Sequence, residues 1–168
     1  HGRLEIVGLV LPVVWADAWP QLLEALSQHR PNGLLMLGAA RRPTMELELV
    51  ARNRTEPRED TLGAMPESEL ISTEGPAEIK TTLPVEAFKA WGVGTSSDAG
   101  RYLCNYVFYR ARQWEMDTLR WSGFLHLPSG TEAICCEVIH RFAHWMDSVL
   151  TQEGTNRSPV DFAGPNDD

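Results

Sequence analysis

Apolar positions along the chain follow two alternating rhythms. Leu4 to Val14 is a dense apolar run broken by Gly8 and Pro12, which predicts a buried strand. Pro20 opens a segment in which Trp19, Leu22, Leu23 and Leu26 repeat at helical spacing, and Pro31-Asn32-Gly33 ends it. Leu34 to Leu37 predicts a short buried strand stopped by Gly38. Met45, Leu47, Leu49 and Ala51 then alternate with Glu46, Glu48 and Val50, which predicts one half-buried strand with both glutamates on its polar face. Residues 53 to 80 have no period and contain Pro57, Gly63, Pro66, Gly75 and Pro76. A loop this long inside a compact domain is usually functional or mobile.

The second half keeps the alternation. Pro84 to Trp91 predicts a short helix, Val93 to Ser96 a strand, and Tyr102 to Trp114 a helix with Leu103, Val107, Ala111 and Trp114 on one face. Trp121 to Leu127 is a strand ended by Pro128. Ser129 and Glu132 form a capping box for a last amphipathic helix, with Ile134, Val138, Phe142, Trp145 and Val149 facing inward. Residues 151 to 168 are polar and acidic, with Gly154, Pro159, Gly164 and Pro165, and are expected to form a disordered tail after a single domain over residues 1 to 150. Strands alternating with helices predict an α/β sandwich, an open sheet covered on both faces.

Composition narrows the function. With 168 residues, 43% hydrophobic and 23% charged, the chain suits one domain with its own core. A net charge of −8 argues against a nucleic-acid partner, since binding phosphate needs a clustered excess of Lys and Arg. There is no run of about 18 apolar residues and no charged-then-apolar leader, so neither a membrane span nor a signal peptide is expected, and a cytoplasmic location is. Three cysteines, with Cys135 and Cys136 adjacent, do not make a disulfide framework and suit a reducing compartment. The sequons at Asn53 and Asn156 then carry no meaning.

Open α/β sheets gather ligands at the carboxyl ends of their strands, and Cys104 stands just past one such strand, at the start of a helix. A free thiol with a pKa of about 8.5 is only a few per cent ionised at neutral pH, so a nucleophilic cysteine needs a helix N-terminus and a neighbouring imidazolium. The predicted helix supplies the first. His126, at the end of the strand Trp121 to Leu127, is the candidate for the second, and Glu48 or Glu46 could orient its ring. The same residues also fit a packed core thiol, a strand-end histidine and a solvated carboxylate. A rival set, Cys136, His140 and His144, repeats every four residues on the last helix. It fits metal ligands or, interleaved with Glu137, Arg141 and Asp147, the helix's wet side.

The segment DAGRYLCNYVFY, residues 98 to 109, together with SGFLHLP, residues 122 to 128, closely resembles the two catalytic blocks of the pyroglutamyl peptidase I (pyrrolidone-carboxylate peptidase) family. LVLPVVW (9 to 15), GAARR (38 to 42), ELVARN (48 to 53) and TTLP (81 to 84) fall in the family's order, so the likeness runs from about residue 4 to residue 146. The resemblance implies a three-layer α/β/α sandwich with a mixed, mostly parallel sheet, often assembled as a tetramer. It implies a cysteine peptidase that removes an N-terminal pyroglutamyl residue from a small peptide, with no metal or organic cofactor. Cys104, His126 and Glu48 match the family's triad and Asn53 its asparagine. Arg58 matches an arginine near the oxyanion, and Tyr102 and Leu103, with Gly38 and Ala39, the lactam pocket. The likeness begins downstream of the family's first strand and its Gly-Phe-Glu-Pro-Phe-Gly-Gly-like loop, whose aromatics sandwich the lactam ring. Without them the sheet is expected to lose a central strand and the pocket one wall. Leu49 stands where the family commonly has an arginine, and the loop before Glu48 looks one residue short, which leaves the register of Arg41 and Arg42 open. The alternative implied is a non-catalytic relative, a binding or assembly module.

Overall fold

The computed structural model describes residues 4–114, 119–128 and 132–156, with the side chains of 132–135 and 153–156 left aside. Its elements run α1 (Trp15–His29), β1 (Gly33–Ala40), β2 (Glu46–Glu48), β3 (Val50–Arg52), β4 (Glu78–Lys80), α2 (Val85–Ala90), β5 (Gly94–Ser96), α3 (Leu103–Gln113), β6 (Trp121–Pro128) and α4 (Glu132–Asn156). Four strands form one sheet in the order β1-β6-β2-β5, and β3 and β4 form a separate ribbon. β1 lies parallel to β6 and β2 parallel to β5, while β2 and β6 run antiparallel, so the sheet is mixed.

Alternate side chains of a strand point to opposite faces, and here they divide the core in two. Met36 and Phe124 pack with Trp15, Leu22 and Leu26 of α1 and Leu103, Val107 and Phe108 of α3. Leu47 and Leu125 pack on the other side with Phe88 of α2 and Val138, Phe142 and Met146 of α4. The result is a three-layer sandwich, with α1 and α3 on one face and α2 and α4 on the other.

Several expectations change. The apolar run 4 to 14 is not a strand: it has no ladder partner among the described residues, and Ile6, Leu9 and Val10 stand 62%, 49% and 93% exposed. α1 starts at Trp15 rather than Pro20, because the Asp60 carboxylate, 45 residues away, accepts the Trp15 N–H at 2.9 Å and caps the helix from outside. Pro20 then lies within the helix on its exposed face, where it lacks a donor N–H. The stretch 45 to 51 is two strands, not one. At Leu49 the chain leaves the sheet: its N–H bonds Ser96 O at 2.7 Å and its carbonyl accepts from Thr81 N at 3.0 Å, and β3 continues in the ribbon. Glu48 is therefore fully buried, not on a wet face.

The long segment after Arg52 is irregular apart from β4, yet side chains pin it. Asn53 donates to Ser72 O (2.7 Å) and Gly75 O (3.2 Å) and accepts from Ser72 N (2.8 Å). Asp60 accepts from Leu62 N and Ala64 N, and Tyr109 on α3 donates to Pro76 O at 2.8 Å. Of the last helix's expected inward face, Val138 and Phe142 are buried, Met146 joins them, and Trp145 and Val149 are half-buried. α4 continues to Asn156, past the expected end of the domain at residue 150. Ser129, the side chain of Ile134 and the rest of the tail lie outside the described residues.

Candidate active site

Three elements converge at one point on the α1–α3 face. Cys104 is the second residue of α3, whose first helical bond is donated by Tyr106 N to Tyr102 O at 3.0 Å. The amides of Leu103, Cys104 and Asn105 thus lack helical acceptors, and the positive end of the helix falls on the thiol. On β6, His126 shares a face with Phe124, so its ring points toward α3. Glu46 is its antiparallel register partner on β2, and Glu48 is the diagonal neighbour on the same face.

The diagonal glutamate makes the contact. Glu48 Oε1 lies 2.7 Å from His126 Nδ1, with Glu48 fully buried and His126 5% exposed. Burial by itself would lower the His126 pKa. Hydrogen bonds that the ring donates to Cys104 and Glu48, and the charge of both, overcome it and raise the pKa from 6.5 to about 9. The buried carboxylate, the imidazole and the thiol thus stand in line, the order that the chemistry of an activated nucleophile requires.

Two side chains outside the expected set support it. Arg42, in the loop from β1 to β2, places Nη1 2.9 Å from Glu48 Oε1 and donates through Nη2 to Asp98 O at 2.6 Å, with a further bond to Glu46. Burial works against its charge, but the Glu46 bond and the charges of Glu48, Glu46 and Asp98 hold its pKa above the ordinary arginine value. Glu46 is thereby engaged by Arg42 and is not the histidine's partner. Asn105, fully buried, accepts from Arg52 N at 2.8 Å and donates to Arg52 O and Arg54 O at 2.8 and 2.9 Å, fastening the ribbon to α3 beside Cys104. No sequence signal marked Asn105, which at helical spacing falls opposite the predicted apolar face of Leu103, Val107, Ala111 and Trp114. Arg42 was in view, but without a register it had no partner.

The remaining expected residues are placed as follows. Gly38 is the register partner of His126 on β1, and a Cβ there would fall 2.7 Å from Phe124 Cζ and 3.1 Å from Cys104 Sγ. Only glycine lets the strand come so close to the thiol. Ala39, next along, is exposed. Leu103 is buried in the core. The Tyr102 ring meets Trp15 edge-on at 5.3 Å, carries the Arg58 guanidinium 4.3 Å above its centroid, and donates its hydroxyl to Glu59 O at 3.0 Å. Arg58 also faces Glu56 at 3.7 Å, and its carbonyl accepts the Trp15 indole N–H at 3.0 Å. Cys136 is exposed on α4 and, like Cys104, is a free thiol. Among the described residues there is no group of three or more His, Cys, Asp or Glu suited to a metal ion, so the set Cys136, His140 and His144 is not assembled as one. No described helix is long and apolar enough to cross a membrane.

Known proteins share this arrangement of elements. A pyrrolidone-carboxylate peptidase of Vibrio vulnificus is 36% identical over 134 residues, covering 75% of this chain and 63% of its own length. One from Oceanobacillus iheyensis is 33% identical over 150 residues, covering 83% of this chain and 74% of its own. The crystal structure of pyroglutamyl peptidase I from Bacillus amyloliquefaciens superposes with a TM-score of 0.64 at 33% identity, covering 73% of this chain and 63% of that one. This chain thus spans somewhat less than two thirds of the Vibrio relative. The pyroglutamyl peptidase family profile matches residues 2–142, and the chain belongs to that family.

Proposed function

We propose that this chain is a cysteine peptidase that hydrolyses the amide bond after an N-terminal pyroglutamyl residue, using Cys104, His126 and Glu48. The observation that carries the proposal is His126, buried between the Cys104 thiol and the Glu48 carboxylate and held as imidazolium. The Cys104 thiolate attacks the pyroglutamyl carbonyl carbon, and the oxyanion that forms faces the free amides at the start of α3, with Arg58 as a further donor. His126 then passes its proton to the departing amine as the C–N bond breaks, leaving a thioester. Water, deprotonated by His126, cleaves the thioester, releases pyroglutamate and restores the thiol. Glu48 keeps the Nδ1 proton in place, so Nε2 is the atom that exchanges protons. Tyr102, Leu103, Gly38 and Ala39 flank the lactam in this scheme, which uses no cofactor.

A second reading, a non-catalytic binding or assembly module that associates with further copies, is favoured by the exposed apolar side chains of Ile6, Val7, Leu9, Val10 and Val13. Release of a fluorescent amine from a pyroglutamyl-aminocoumarin amide, by the protein and by Cys104→Ala in reducing buffer, separates the two. Turnover that vanishes with Cys104→Ala supports the peptidase. A folded protein with no turnover supports the module.

A further inference from the structure

We propose that the cavity beside the β3–β4 ribbon is a subsite for an acidic residue of the peptide, on the leaving-group side of the scissile bond. The cavity holds about 460 Å³ and is lined by Arg52, Arg54 and Arg101, with Glu78, Leu70 and Ala77 among its other walls. That volume lies within the range of small-ligand sites. Three guanidiniums in one hollow are unexpected in a chain of net charge −8.

Their partners differ. Arg52 is committed: Nη1 pairs with Glu78 at 3.0 Å and Nη2 donates to Ser97 O at 3.2 Å. Arg54 and Arg101 are exposed, and among the described residues neither guanidinium has a carboxylate or carbonyl partner. The walls around them are fixed. Asn105 clamps the backbone at Arg52 and Arg54, Asn53 holds residues 72 to 75, and Arg101 O accepts Glu56 N at 2.9 Å. Two free guanidiniums on rigid walls favour a carboxylate, which each can grip with paired N–H donors, while Leu70 and Ala77 suit its methylene stem.

Chain geometry sets the position. Arg101 is three residues before Cys104, so their Cα atoms are at most about 11 Å apart, three steps of ~3.8 Å. An extended peptide advances about 3.3 Å per residue, which brings the second or third residue after the scissile bond within reach of Arg101 and Arg54.

The inference rests on the proposed peptidase activity, and the test separates the two. Peptides pyroglutamyl-Ala-Glu-Ala-amide and pyroglutamyl-Ala-Gln-Ala-amide are compared by kcat/KM, with each rate divided by that of the neutral coumarin amide on the same protein. Wild type should favour the Glu peptide about five- to tenfold at low salt, with the ratio shrinking in 0.5 M NaCl (about a 4 Å Debye length). Arg54→Gln/Arg101→Gln should bring the ratio to about one, and Arg54→Glu/Arg101→Glu should invert it. Equal rates for the two peptides in wild type, or a ratio unchanged in both double variants, overturn the proposal. If wild type cleaves no pyroglutamyl amide, the activity fails and the pocket is tested alone, by anisotropy of the same two peptides labelled at the C-terminus. Tighter binding of the Glu peptide, lost in Arg54→Gln/Arg101→Gln, supports the pocket. Equal binding of the two peptides, with displacement by inorganic phosphate, assigns it to a free anion and overturns the peptide subsite.

Discussion

Gly38→Ala tests the packing that brings β1 up to the thiol. The new Cβ would stand 2.7 Å from Phe124 Cζ, 3.0 Å from Phe124 Cε1 and 3.1 Å from Cys104 Sγ. Carbon contacts are comfortable at about 3.5–4.0 Å, so the ring must retreat by about 1 Å. It has nowhere to go: Phe124 is 2% exposed, with Phe108 at 6.2 Å and His126 at 4.9 Å between centroids. Overpacking of this kind costs about 1–3 kcal/mol. Displacing the thiol against His126 by up to about 1 Å should slow any reaction of the pair by about 100-fold. Urea unfolding measures the first effect, and the rate of Cys104 alkylation by iodoacetamide measures the second without assuming a substrate. Gly8→Ala, where a Cβ meets nothing within 4 Å, is the control. If Gly38→Ala unfolds within 0.5 kcal/mol of wild type (about the scatter of a neutral surface change) and alkylates at the same rate, the close approach of β1 has no consequence and the reasoning fails.

Three further outcomes follow from the charges and amides around the site. His126 has a folded pKa of about 9 against 6.5 unfolded, so its contribution is fully present below pH 6.5 and fades as pH rises through 9. On that basis the stability difference between wild type and His126→Gln should shrink by about 3 kcal/mol from pH 6 to pH 10; a difference flat across that range would contradict the buried imidazolium. Asn105→Ala strips three hydrogen bonds from the backbone of Arg52 and Arg54 and should cost about 2–4 kcal/mol in urea unfolding, whereas a loss under 1 kcal/mol would mean the ribbon holds itself. Asp60 is held below the ordinary carboxylate pKa, chiefly by the Trp15 N–H, with the Leu62 and Ala64 amides outweighing the effect of burial. Its contribution is therefore present above about pH 4 and lost below it. Proteolytic nicking between residues 61 and 70 should rise on acidification below that point in wild type, and Asp60→Asn should show that susceptibility already at pH 7.

The pairing of Cys104 with His126 was legible because two local signals agreed: a cysteine opening a helix and a histidine near the end of a strand. Glu48 was named, but its burial was hidden, since the alternation through residues 45 to 51 reads as one half-buried strand and the transfer at Leu49 depends on Ser96 and Thr81. The start of α1 was misplaced for the same reason: its cap is Asp60, and a cap 45 residues away leaves no mark in the local pattern. The run 4 to 14 has the composition of a buried strand, but a strand also needs a neighbour to pair with, and none of the described residues supplies one. Arg42 became visible only once β1 and β2 had been set in register around β6.

The division of the core by alternate strand positions has an evolutionary consequence. Along β6, Phe124 and His126 serve the face with α3, while Leu125 and Leu127 serve the face with α2 and α4. Every group in the Cys104–His126–Glu48 array lies on the first side. Drift or engineering on the second side, at Phe88, Val138, Phe142 or Met146, would change how long the protein survives heat without redrawing the distances within that array. The sheet works as insulation, leaving one face free to accumulate sequence change while the other is held to a fixed geometry.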